Sequence, residues 1–262
     1  MLARSLFDRS SAAGAPGRAA HLLNGLLAAA LLVATFYLCF RTSAYRWDWA
    51  AVYVYRQKFV SGWLTTIWIA LAALGLSTAL GLALALARRS TLLVLSYLAK
   101  IWIELIRGTP LLVQILIFFY VVADAIGAEN RYLVGVITLA IFSGAYLSEI
   151  IRAGIESVGK SQLDSALAVG FTRAQTYRYV IFPQALRQTL PPLAGQFVSL
   201  VKDSSLLMII GISELTLNAR EVATYTFSSF ESYLPVAAGY LALTLPLSLL
   251  ARHLETRSRF ET

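Results

Sequence analysis

The stretch Gln162–Arg187, QLDSALAVGFTRAQTYRYVIFPQALR, is polar and helix-prone, yet it lies between two strongly apolar segments. Gly170 breaks it in the middle. A glycine tolerates the left-handed backbone that ends helices, so a first helix is expected over Ser161–Val169. Thr172 then offers a hydroxyl to cap a second helix, Arg173–Ile181, which should stop before Pro183. The stretch therefore reads as a soluble helical hairpin set into an apolar chain.

The rest of the chain is apolar enough to need a membrane. Hydrophobic residues make up 58% of the 262 residues and charged residues only 14%, with a mean hydropathy of +0.68. Average soluble domains carry about 25% charged residues. The net charge of +8 raises nucleic acid as a partner. Its arginines and lysines form no basic stripe with interleaved aromatics, however, and they sit at the ends of apolar runs, so no nucleic acid is expected. Cys39 is the single cysteine, and His21 and His253 are far apart. Neither an intrachain disulfide nor a metal site is expected from them.

Six apolar runs order the chain. After a polar tail, residues 1–20, the first is His21–Phe40, about twenty residues without a fixed charge and enough to cross a ~30 Å core. A signal peptide is the rival reading, but its apolar region would be long and Thr42-Ser43-Ala44 is a weak cleavage site. The expectation is an uncleaved anchor. Residues 41–58 are aromatic and charged, as an outer interfacial segment is. A second span, Phe59–Ala87, stops at Arg88-Arg89 and carries Ala73, Ser77 and Gly81 four residues apart, a stripe that either permits close helix approach or is mere scatter. Thr91–Arg107 should lie along the cytoplasmic interface, and Thr109–Ala123 should turn up into the membrane, started by Pro110. Tyr132–Ile151 returns inward, residues 152–187 form the soluble loop, Pro191–Gly211 goes out, and Leu234–Ala251 comes back before a short tail, residues 253–262. Fifteen of the 22 Lys and Arg then fall on inner segments, which puts both termini in the cytoplasm.

Four blocks carry a family resemblance. Asp164-Ser165-Ala166, Gly170 and Pro183 have the spacing of an E-A-A loop, with the glycine four residues after the last alanine and the proline thirteen further on. Glu104–Gln114 is similar to E-x-x-R-G-T-P-L-L-V-Q, Ala145–Ile155 to A-Y-x-x-E-x-x-R-x-G-I, and Leu200–Leu206 with Ile210-Gly211 and Glu214-Leu215 to L-x-K-[DN]-[ST]-S-L…I-G…E-L. Together these resemble the permease subunits of ABC importers for polar amino acids, over about residues 62–252. The chain departs from the pattern at Asp164-Ser165 (usually Glu-Ala), at Phe182 (usually Leu) and in having one span beyond the five-span core. The resemblance implies a five-helix permease core in a bacterial cytoplasmic (inner) membrane, and with the extra N-terminal run the expectation is an all-α membrane protein of six transmembrane helices. The resemblance implies that Asp164, Ser165, Ala166, Gly170, Phe171, Thr172 and Pro183 couple to an ATPase subunit. It also implies a second permease subunit, the same or related, and an extracytoplasmic amino acid-binding protein. No cofactor is implied, and the chain itself is not expected to be an enzyme.

Several features invite other readings. Gly154–Ser161, GIESVGKS, satisfies G-x-x-x-x-G-K-[ST] letter for letter. A phosphate loop needs a strand delivering its glycines onto a helix N-terminus, and this segment leaves a membrane span instead. Glu104 and Glu149 precede Arg107 and Arg152 by three residues and read as helical-face partners. Gln114 and Gln196 are polar on apolar spans, so each must bond to backbone, to another helix or to a ligand. If the span begins near Pro191, a rise of about 1.5 Å per residue puts Lys202 roughly 17 Å in, near mid-membrane. Charges there either form a structural ion pair or face a pathway. Lys202, Asp203, Ser204 and Ser205, with Gln114 and Gln196, are the candidate substrate-binding residues.

A secondary amino acid transporter is the alternative class. It would need ion-coupling carboxylates deep in several spans, often with an inverted repeat, and only Asp203 offers itself. A membrane-embedded enzyme would need a nucleophile–base or metal constellation, and none is visible.

Overall fold

The computed structural model describes residues 18–41, 45 and 47–258. Most of the polar tail expected over residues 1–20, the weak cleavage site Thr42-Ser43-Ala44 and the last four residues of the C-terminal tail lie outside the described residues. The chain divides into two units, residues 1–47 and 48–262.

The first unit is one apolar helix, α1 (Arg18–Arg41). At its C-terminal end Phe36 stacks with Phe40 and Phe40 meets Trp47, with ring centroids 6.2 and 5.4 Å apart. Aromatic side chains gathered at one end of an apolar helix suit the membrane–water boundary.

In the second unit, α2 (Trp49–Val54) leads into α3 (Arg56–Arg88), followed by α4 (Leu93–Arg107) and α5 (Leu111–Ile117). A π-helical turn, Phe118–Ala123, extends α5. α6 (Arg131–Glu156) enters the hairpin of α7 (Lys160–Ala168) and α8 (Arg173–Thr176). A second π turn, Tyr177–Ile181, runs into α9 (Phe182–Asp203), which tightens to a 3₁₀ turn over Ser204–Ile210. α10 (Leu215–Thr226) and α11 (Ser229–Ser258) complete the chain. Every regular element among the described residues is helical.

Five helical segments are long and apolar enough to span a membrane, and α4 with the α5 segment makes a sixth if the bent pair counts as one. The bend between them is 108°. Leu111–Ala123 alone rises only about 20 Å, short of a ~30 Å core. α4 has Ala99, Ile103 and Ile106 buried on one side, and Val94, Tyr97, Ile101 and Leu105 make an exposed apolar face on another.

α3 and α6 form the spine. The small-residue stripe proves to be a contact: Ala73 and Ser77 are fully buried, and a β-carbon on Gly81 would sit 2.7 Å from Leu147 Cβ and 3.0 Å from the Gly144 carbonyl oxygen. Around this crossing, Ile69 and Ala73 of α3, Ile115 of α5, Leu139 of α6, Leu200 of α9 and Leu207 of the 3₁₀ turn share one core.

One expectation fails. The second hairpin helix does not stop before Pro183, nor does a span start afresh at Pro191. The helix runs on, with Pro183 in the first turn of α9 and Pro191 and Pro192 inside it. The π turn just before Pro183 is already bonded out of α-helical register, so a missing N–H costs little there. The Gln184 side-chain amide also donates to the Val180 carbonyl at 3.0 Å.

Candidate functional site

The hairpin is built as its residues dictate. α7 ends at Ala168 with Val169 as its cap, and Gly170 takes φ +81°, which any β-carbon would strain. Thr172 accepts from Gln175 N–H while its own N–H donates to Gln175 Oε1 at 2.8 Å, a reciprocal capping box that fixes the start of α8. Val158, Ile181 and Ala185 pack with Ile155 and Leu163, fastening the hairpin to the ends of α6 and α9.

Of the seven candidate coupling residues, Ala166 is buried and Phe171 is half-buried against Tyr179, at 6.2 Å between centroids. Asp164, Ser165, Gly170, Thr172 and Pro183 are exposed. Beside them, Leu167 and Val169 are 64% and 70% exposed on a segment polar enough to sit in water. Gly154 of the phosphate-loop look-alike lies inside α6. A β-carbon there would meet Thr189 Cγ2 at 2.2 Å, so this glycine serves a close crossing with α9 and cradles no phosphate.

Where the hairpin joins the spans, a charged cluster forms that the sequence reading only half-anticipated. Glu149 accepts from Arg152 at 2.9 Å as expected, but it also pairs with Arg88 of α3 and lies 3.6 Å from Arg107 of α4. Arg107 thus turns to α6 and leaves Glu104, its expected partner, exposed. Arg152 reaches on to Glu156. Helical spacing reveals pairs along one helix; nothing in it brings three helix ends together.

The candidate substrate residues do not form one group. Lys202 is exposed and Asp203 half-buried at the end of α9. Ser204 is fully buried, and the Ser204 and Ser205 hydroxyls donate back to the Val201 and Lys202 carbonyls, each at 2.7 Å. The helix tightens there and does not unwind. Gln196 is half-buried on α9. Gln114 is 4% exposed, and its Nε2 donates to the carbonyls of Ile106 (2.6 Å) and Thr109 (3.2 Å) and to the Thr109 hydroxyl (2.8 Å). Its amide group staples the 108° elbow.

A polar node centres on Glu214, quoted above only as part of the family pattern and here fully buried at the start of α10. Its carboxylate accepts from Thr216 N–H and Leu217 N–H, both at 2.8 Å, and from the Tyr240 hydroxyl at 2.9 Å. These bonds cap α10 and tie it to α11. Among the described residues no group of three or more His, Cys, Asp or Glu is placed to hold a metal.

A bundle of apolar spans interrupted by a polar helical hairpin is the architecture of a transport permease. Residues 77–260 match the family described as binding-protein-dependent transport system inner membrane component, and the chain belongs to that family. The Escherichia coli (strain K12) glutamine transport system permease GlnP is 36% identical over 216 residues, 82% of this chain and 99% of that one. The probable glutamine permease GlnM of Bacillus subtilis (strain 168) is 36% identical over 201 residues, 77% of this chain and 93% of the relative. A crystal structure of an amino acid ABC transporter with histidines superposes with a TM-score of 0.76 at 36% identity, covering 81% of this chain and all of that one. The MetNI methionine transporter, at 12% identity and a TM-score of 0.65, shares the fold. The protein is therefore a multi-pass inner-membrane permease subunit of an ABC importer. ATP hydrolysis belongs to a separate subunit, and a substrate-binding protein serves the system.

Proposed function

We propose that this permease moves polar amino acids inward by alternating access, paired with a second permease subunit, identical or related. The ATPase subunit grips the hairpin through Leu167, Val169 and Phe171, framed by Asp164, Ser165, Ala166, Gly170, Thr172 and Pro183. The observation that carries this reading is the exposed apolar pair on a water-facing hairpin. Leu167 and Val169 at 64% and 70% exposure cost free energy unless a partner covers them. Both termini lie in the cytoplasm, and an extracytoplasmic amino acid-binding protein presents substrate at the outer face. The glutamine permeases among the relatives support a polar amino acid as cargo.

Among the candidate substrate residues, Lys202 and Asp203 keep the strongest case, because the Ser204 and Ser205 hydroxyls and the Gln114 Nε2 are already taken up by hydrogen bonds within the chain. A zwitterion needs a donor and an acceptor in a low-dielectric passage, and this pair supplies both. The decisive experiment reconstitutes the permease with its ATPase and binding protein in vesicles and follows labelled amino acids. ATP-dependent uptake of glutamine or another polar amino acid is expected. Uptake driven by an ion gradient without ATP would refute the importer mechanism, and uptake restricted to non-amino-acid cargo would refute the substrate.

A further inference from the structure

We propose that Glu149 is a positioning residue for transport, the hub through which movement of the docking hairpin reaches the α4–α5 elbow. The inference rests on the hairpin being the ATPase grip. Four observations place the carboxylate at this junction. It lies on α6 about two turns before that helix ends, with its side chain only 16% exposed. Arg152, one turn nearer the hairpin, binds it through both Nε and Nη2, at 3.2 and 2.9 Å, and also reaches Glu156 at the hairpin's root. Arg88 ties it to the end of α3, and the neighbouring Arg89 donates to the Tyr177 hydroxyl of the hairpin's second half at 3.0 Å. Arg107, the last residue of α4, completes the set.

Three guanidiniums compete for one carboxylate, and they are not held equally. Arg88 and Arg152 are at hydrogen-bond distance, but Arg107 stands 3.6 Å away, beyond it. The Arg107 guanidinium also lies over the Tyr146 ring of α6, 5.2 Å from its centroid. From one position Arg107 therefore faces both the carboxylate and the ring of α6, and neither holds it at hydrogen-bond distance.

What Arg107 carries with it is the elbow. Gly108, Thr109 and Pro110 make the break, and Gln114 bonds across it to Ile106 and Thr109, so the end of α4 and the start of α5 turn as one piece. When the hairpin moves the root of α6, Arg152 and Glu149 move with it. Arg107 follows or is released, and the elbow tilts α5, whose Leu111 and Ile115 line the common core. In the proposal, the bent helix pair held to α6 by this loose ion pair is the element that takes two positions, as coupling between distant sites requires.

The test uses the whole complex of permease, ATPase and binding protein in vesicles. Arg107→Gln is the principal variant, since it removes one of three positive charges and leaves Glu149 paired twice over, so the fold is kept. Co-purification of the ATPase and its basal hydrolysis should stay at the wild-type level. Stimulation of hydrolysis by substrate-loaded binding protein, and transport with it, should fall about tenfold. Glu149→Gln should lose at least as much, and the double variant Arg107→Gln/Glu149→Gln no more than Glu149→Gln alone, because the two act through one contact. Lys at position 107 keeps the charge and should restore part of the stimulation. Full stimulation in Arg107→Gln, or losses that multiply in the double variant, would overturn the proposal while leaving the hairpin reading intact. If the ATPase fails to co-purify with the wild-type chain, the hairpin reading falls first and this inference falls with it.

Discussion

Gly170 shows how far a single residue can be read. A glycine between two helix-prone runs points to a left-handed helix end, and its φ of +81° is that conformation. No heavy atom lies within 4 Å of where its β-carbon would go, so substitution strains the backbone without a clash. Gly170→Val should leave the spans inserted and the protein stable in detergent, while misplacing Phe171 and abolishing ATPase docking in a pull-down. An undiminished pull-down would show that the hairpin's turn is not part of the grip. Gly81 is the opposite case, since the added carbon would meet the α6 backbone and Leu147 at once. Gly81→Leu should lower thermal stability in detergent by the equivalent of about 1–3 kcal/mol or prevent folding; an unchanged melting temperature would contradict the close crossing. Lys202 and Asp203 were legible only as costly charges at depth. That Ser204 faces the core and returns its hydroxyl to its own helix depends on the rotation of α9, which composition does not reveal.

At the scale of elements, the hairpin was legible because its signals are local: a capping threonine, a glycine stop and the polar run between apolar ones. The elbow was half-legible. Pro110 announced a new helix and α4's mixed polarity an interfacial one, but the part played by Gln114 follows from the 108° angle, a tertiary fact. An amide on an apolar helix had three possible partners, and here its Nε2 takes two backbone carbonyls and the Thr109 hydroxyl. Gln114→Leu should therefore deprive the buried Ile106 carbonyl and the part-buried Thr109 carbonyl of this donor, at about 1–3 kcal/mol. A matching drop in melting temperature, with substrate preference unchanged, is the expected result; a changed amino acid preference would return Gln114 to the substrate site. Pro183 misled for a physical reason. Proline ends helices when its missing N–H is needed, and the π turn over Tyr177–Ile181 removes that need.

For the molecule as a whole, apolar runs and basic flanks predicted the number of spans, because each run must satisfy its own backbone in lipid. They did not predict which spans touch. The α3–α6 spine and the Glu149 cluster bring together residues more than sixty positions apart, and no local pattern records that. The first span raises a separate question, since the family match starts at residue 77 and does not include α1. The common core of α3, α5, α6, α9 and the 3₁₀ turn lies wholly within residues 48–262. A chain beginning at Asp48 should accordingly still insert. Removing one span reverses the side on which the N-terminus starts, while Arg88-Arg89 at the end of α3, Arg152 in the last turns of α6 and Arg252 in the last turns of α11 should keep their ends in the cytoplasm. A reporter fused to the C-terminus should report the cytoplasm in both the full and the shortened chain, and the shortened chain should still bind the ATPase. Periplasmic signal from the full chain would overturn the six-span topology. Loss of ATPase binding from the shortened chain alone would mean that α1 does more than anchor.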